Sequence, residues 1–91
     1  MLLVGVMLKI DVANQAGPRV IVRLEGRMVG PWVDELRRAC EPYLGSGHAL
    51  TLDFAGVSFI GREGVVLCRS LRQGHTSFTN CSLFIKEQLD A

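Results

Sequence analysis

Side chains suited to chemistry are scarce in these 91 residues. There are two histidines, His48 and His75, and neither has a second histidine or a carboxylate at metal-ligand spacing. The three cysteines, Cys40, Cys68 and Cys81, include no C-x-x-C pair, which argues against a zinc site, and their odd number argues against a disulfide framework. They read as free, buried thiols. An excess of one charge is missing too: ten Lys plus Arg offset nine Asp plus Glu, for a net charge of +1, and the basic residues are scattered rather than striped. Nucleic acid is therefore not the expected partner. No hydrophobic run reaches the ~20 residues of a membrane span, because Lys9 and Asp11 end the apolar stretch that begins at Met1. That stretch also lacks the positive start and small-residue cleavage site of a signal peptide. The expectation is a soluble, cytoplasmic chain with no membrane insertion and no cofactor or metal.

What is present is ordinary globular composition, 48% apolar and 21% charged, in a length that suits one domain over residues 1–91. From Val4, the residues Val6, Leu8, Ile10 and Val12 recur at every second position, the period of a half-buried strand. Asn14 to Pro18 has turn chemistry, and Val20, Val22 and Leu24 alternate after it, predicting an antiparallel hairpin. Gly30-Pro31 opens a helix with Trp32, Leu36, Ala39 or Cys40, and Tyr43 on one stripe, closed by Gly45-Ser46-Gly47. Trp32 reads as core twice as readily as partner anchor. Leu50, Leu52 and Phe54 predict a third strand ending at Ala55-Gly56, followed by apolar Val57 to Ile60. Helical spacing returns from Val65 to Gln73, with Cys68 and Leu71 on the apolar stripe. A polar loop, Gly74 to Asn80, leads to a fourth strand at Cys81 to Ile85, and the tail from Lys86 is too short to be a stable helix alone. This order predicts an α/β sandwich, a mostly parallel sheet with helices on one face. The other face would then present uncovered positions to solvent, a partner or a second copy.

Enzyme constellations are weak. Cys68 and His75 lie two helical turns apart, but nothing orients the imidazole and Cys68 falls on the buried stripe. Gly61-x-x-Gly64 lacks the third glycine of a dinucleotide fingerprint and the Lys-Ser/Thr of a P-loop. What it does place is backbone N–H groups at a helix start, a positive end suited to an anion, with Glu63 able to supply that charge internally.

The segments Leu24-Glu25-Gly26-Arg27, then Leu52-Asp53-Phe54-Ala55-Gly56-Val57-Ser58-Phe59-Ile60, then Gly64-Val65-Val66-Leu67 resemble the STAS domain family, the bacterial anti-sigma factor antagonists and their relatives. The likeness runs in order from about Val6 to Ile85. It implies a STAS-like sandwich with a sheet of four to five strands, no enzymatic activity, and regulation of transcription through protein contact. Family members typically read Asp-Ser-Ser-Gly after the central strand, with the serine at the helix start phosphorylated by a partner that is both anti-sigma factor and kinase. Counting from Asp53, those positions are Gly61, Arg62, Glu63 and Gly64, so Arg62 replaces the phosphoacceptor and only Gly64 is retained. Ser58 is the nearest hydroxyl, and a structural role is expected for it.

The resemblance implies a partner-binding surface formed by Phe59, Ile60, Gly61, Arg62, Glu63, Gly64 and Val66, beside the start of the first helix, for a kinase-like anti-sigma ATPase. Phosphorylation at the usual serine position is not expected, since arginine accepts no phosphate. Two rivals stand beside this reading: an accessory subunit of a lipid-transport ABC ATPase, and a small-ligand or nucleotide sensor using the helix N-terminus. Homodimerisation or exchange of terminal elements is a further expectation, because family members usually continue with a fuller helix where this tail ends at Asp90-Ala91, which would leave an apolar strip uncovered.

Overall fold

The computed structural model describes residues 8–45 and 47–90. The expected strand start at Val4 and Val6, together with Ser46 and Ala91, lies outside them. Strand β1 (Leu8–Ala16) and β2 (Arg19–Met28) form the predicted antiparallel hairpin. Helix α1 (Pro31–Cys40), continued by a 3-10 turn at Glu41–Tyr43, leads to β3 (Ala49–Ile60), parallel to β2. Helix α2 (Arg62–Gln73) leads to β4 (Ser77–Thr79), parallel to β3, and α3 (Leu83–Asp90) follows. The sheet order is β1-β2-β3-β4.

One face of this sheet is buried and the other is wet. Val20, Val22, Leu24 and Met28 of β2 join Leu50, Leu52, Phe54, Val57 and Ile60 of β3 in one cluster with Val33, Leu36 and Cys40 of α1, Leu67, Cys68 and Leu71 of α2, and Ile85 and Leu89 of α3. Each fully buried side chain of this size stabilises the fold by about 1.5–3 kcal/mol. Trp32 and Tyr43 are only half-buried against that cluster, and Val33 takes the core position of α1. On the opposite face, Lys9 pairs in register with Glu25, and Arg23 stands between Asp11 and Asp53. The expected uncovered apolar face is thus largely a ladder of alternating charges, which water solvates without a partner.

The third strand does not stop at Ala55-Gly56. It runs twelve residues against ten on β2, absorbing one extra residue between the pairs Arg23–Asp53 and Glu25–Gly56 and a second between Gly26–Val57 and Arg27–Phe59. Inward positions therefore fall at 50, 52 and 54 and then at 57 and 60, so the two-residue period breaks although the strand continues. Side chains stitch both bulges. Asp53 Oδ1 accepts the Ala55 N–H at 3.0 Å, and the Ser58 hydroxyl donates to the Gly26 carbonyl at 3.3 Å. Gly56 has to be glycine because a Cβ there would lie 2.7 Å from Glu25 Cγ and 3.1 Å from the Leu24 carbonyl oxygen.

The C-terminal elements differ from expectation. Cys81 to Ile85 is not a strand: the fourth strand is Ser77–Thr79, inside the stretch read as loop, and Leu83 already begins a helix. Ser82 caps that helix, its Oγ accepting the Ile85 N–H at 3.1 Å. The apolar run Leu83-Phe84-Ile85 mimics a strand, yet only Ile85 is buried while Leu83 and Phe84 are exposed. Eight residues suffice for α3 because tertiary contacts hold it: Arg69 Nε donates to the Leu89 carbonyl at 2.9 Å, and Gln88 grips β3. β4 reaches only as far as Asp53, so among the described residues no strand neighbours the Ile60 edge. Gln88 takes its place, its Oε1 accepting the Ile60 N–H at 3.2 Å and its Nε2 donating to the Ile60 carbonyl at 2.7 Å.

Two outcomes follow from these contacts. Gln88→Ala leaves both Ile60 backbone groups without a protein partner and is expected to cost about 1–3 kcal/mol, with faster hydrogen exchange at the Ile60 amide by NMR. Asp53 is held below the usual carboxylate range, first by the Asn80 amide, which donates to Oδ1 at 3.0 Å, then by the Ala55 N–H, with Arg23 adding attraction. A lowered folded-state pKa means stability that is present above the unfolded value of about 3.9 and lost as pH falls through the folded value. Asp53→Ala is expected to cost about 1–2 kcal/mol in denaturant unfolding at neutral pH, and the deficit should shrink once both proteins are acidified below that range.

Candidate functional site

At the carboxyl ends of the two long parallel strands the chain turns twice in close proximity. β2 passes through Val29 and Gly30 into α1, and β3 passes through Gly61 into α2. Gly61 ties the turns together: its N–H donates to the Met28 carbonyl at 2.9 Å, and its own carbonyl accepts the Val65 N–H at 2.9 Å. A Cβ on Gly61 would sit 3.3 Å from Val29 Cγ1, so the two junctions touch. Helix α2 starts at Arg62, three residues earlier than periodicity predicts, and no side chain caps it. Its first-turn N–H groups are left to solvent or a partner. Glu63 is the acidic residue of that turn.

The residues named from sequence divide sharply by exposure. Arg62, Glu63 and Val66 are exposed, Val66 at 64%, and Phe59 and Gly61 are half-buried. Ile60 and Gly64 are both buried. Ile60 points into the core at 1% exposure, and Gly64 lets α2 pack closely on the sheet: a Cβ there would meet Ile60 Cγ2 at 2.8 Å and Met28 Sδ at 3.0 Å. Gly64 thus has a packing role that accounts for its presence without any ligand.

Sequence reasoning left out Arg27, whose guanidinium lies over the Phe59 ring at 5.1 Å, a cation–π contact on the wet face of the sheet. Arg27 and Phe59 are register partners, a relation set by the second bulge and invisible to spacing along either strand. Arg62 and Glu63, exposed in the first turn of α2, follow Phe59 by three and four residues along the chain. Arg and aromatic side chains are enriched where proteins bind one another.

Burial pushes the Cys40 thiol up to about 11 and the Cys68 thiol to about 12, so neither is a thiolate near neutral pH. Cys68 instead donates to Met28 Sδ at 3.7 Å. His48 packs edge-on against Tyr43, with ring centroids 5.4 Å apart, and His75 sits at the left-handed turn that closes α2. Among the described residues no group of three or more His, Cys, Asp or Glu is placed to hold a metal ion, and no helix is long and apolar enough to cross a membrane.

No protein-family model and no curated protein matches the chain. Among solved structures, the anti-sigma factor antagonist SpoIIAA in its unphosphorylated form superposes with a TM-score of 0.72 at 17% identity, over 92% of this chain and 82% of that one. At that identity the likeness is one of fold. The mixed four-stranded sheet and its three helices are those of the STAS fold, which this chain has, as the resemblance of its central strand implied.

Proposed function

We propose that this chain is a non-enzymatic interaction module of the anti-sigma factor antagonist type. It docks a kinase-like anti-sigma ATPase in the cytoplasm through Arg27, Phe59, Gly61, Arg62, Glu63 and Val66, and so regulates transcription. The observation that supports this reading best is the exposed Arg62 at the first residue of α2, in a fold like that of the antagonist SpoIIAA. Arg62 stands where the family resemblance puts the phosphoserine. A phosphate there would bring a charge of about −1.5 to −2 to the helix start and repel an acidic partner patch. Arginine carries the opposite sign permanently, so the module stays competent for an acidic patch whatever the state of the kinase. The nearby Ser58 hydroxyl is engaged with the Gly26 carbonyl, which supports a structural rather than a switching role for it.

Titration calorimetry against an anti-sigma ATPase from the same genome tests the proposal. The double variant Arg62→Glu, Glu63→Lys is expected to lose about 2–5 kcal/mol of affinity, the cost of reversing charges that are desolvated in a complex. Mass spectrometry after incubation with that ATPase and ATP is expected to find the chain unmodified. Unchanged affinity would remove this surface from the interface, and stoichiometric phosphate between Ser58 and Val66 would overturn the loss of switching.

A further inference from the structure

The far end of α2 from Arg62 forms a cleft. The last turn of α2, the β4 edge and the second half of α3 surround a cavity of about 580 Å³, within the size range of small-molecule sites. Thr76, which lines it, is 5% exposed, and its Oγ1 has no hydrogen-bond partner among the described residues. An unpaired buried hydroxyl destabilises a fold, and natural proteins keep few of them. The backbone N–H of the same residue is paired, to the Leu71 carbonyl at 3.1 Å, so the segment is ordered and the hydroxyl alone lacks a partner.

Charge on the walls is unequal. Arg72 and Lys86 line the cleft against one carboxylate, Asp90. The Arg72–Asp90 pair is 3.3 Å apart with side chains 47% and 63% exposed, a surface ion pair that an incoming anion can replace at little cost. Asp90 also sits at the C-terminal end of α3, where the helix dipole disfavours a negative charge. Cys81 in the same wall registers both cations: burial raises its thiol pKa, Lys86 and then Arg72 pull it down, and Asp90 opposes them. Phe78 and Leu89 supply an apolar floor.

We propose that this cleft binds a small organic acid. Lys86 and Arg72 hold the carboxylate, the Thr76 hydroxyl turns into the cleft to donate to one of its oxygens, and a body of a few carbons rests on Phe78 and Leu89. The unpaired hydroxyl of the free protein is then the half of a hydrogen bond that the ligand completes.

NMR titration of the ¹⁵N-labelled chain tests this with hexanoate, and with hexanamide and inorganic phosphate as parallel arms. Hexanoate is expected to give saturable amide shifts at Thr76 to Cys81 and Lys86 to Asp90 in the millimolar range, and the neutral amide and the phosphate to give none. Lys86→Glu is expected to weaken hexanoate by about tenfold. Thr76→Val should raise the Tm of the free protein, by removing the unpaired hydroxyl, while weakening hexanoate by about tenfold. A purely structural threonine would not couple those two effects. Absence of saturable shifts, shifts centred on Arg62 to Gly64, equal response to hexanamide or phosphate, or full affinity in Thr76→Val would each overturn the site.

Discussion

Everything at the carboxyl ends of the two long parallel strands depends on how β3 lies against β2. Twelve residues of one strand span what ten span on the other, and the difference is taken up in two bulges, each closed by a side-chain hydrogen bond, from the Ala55 N–H to Asp53 and from Ser58 to Gly26. The first bulge needs the missing side chain of Gly56, and the second sets Phe59 opposite Arg27. Bulges strengthen local twist and re-aim the strand that carries them. Here they bring Ile60 level with Met28, so that Gly61 bonds the Met28 carbonyl and α2 starts beside the entrance to α1. A regular β3 of this length would pair Met28 with an earlier residue and carry the α2 start past that junction.

The helices then depend on the strand end. Gly64 admits α2 against Met28 and Ile60, and Met28 in turn receives the Cys68 thiol, so one methionine is shared by the strand, the helix start and the helix middle. α3 closes the arrangement from the other side. Its Gln88 satisfies the edge of Ile60 as a neighbouring strand would, and Arg69 of α2 holds its final turn. Helix α2 therefore separates two surfaces of different chemistry. Its start exposes Arg62 and Glu63, and its end joins α3 and β4 around a cleft with two cations and an unpaired hydroxyl. α3 touches both β3, through Gln88 at Ile60, and the cleft, through Lys86 and Leu89.

Much of this was legible beforehand where periodicity is local. The alternation of Val20, Val22 and Leu24, and of Leu50, Leu52 and Phe54, identified the two central strands, and Gly30-Pro31 identified the start of α1. The resemblance of Leu52 to Leu67 identified the fold class, and it directed attention to Arg62 and Glu63, which are exposed. Where the reading failed, the failure had a physical cause. Ala55-Gly56 looks like a strand end because a bulge breaks the two-residue period that defines a strand in sequence. Leu83-Phe84-Ile85 looks like a strand because three apolar residues in a row have no periodicity, and only the Ser82 cap marked it as helix. Ser77-Phe78-Thr79 looks like a loop because a three-residue edge strand has room for one inward side chain.

By itself, then, the sequence determined the faces that the two central strands would bury, that charge would be balanced, and that position 62 carries a guanidinium in place of a hydroxyl. Those properties belong to residue identity and short-range spacing. Only the tertiary structure decided that Ile60 and Gly64 are core rather than surface, that Arg27 covers Phe59, that Gln88 completes the edge of β3, and that Thr76 is left with an unpaired hydroxyl. Each of those depends on register between strands or on packing between residues distant in the chain, and no spacing along one segment encodes the position of its neighbour.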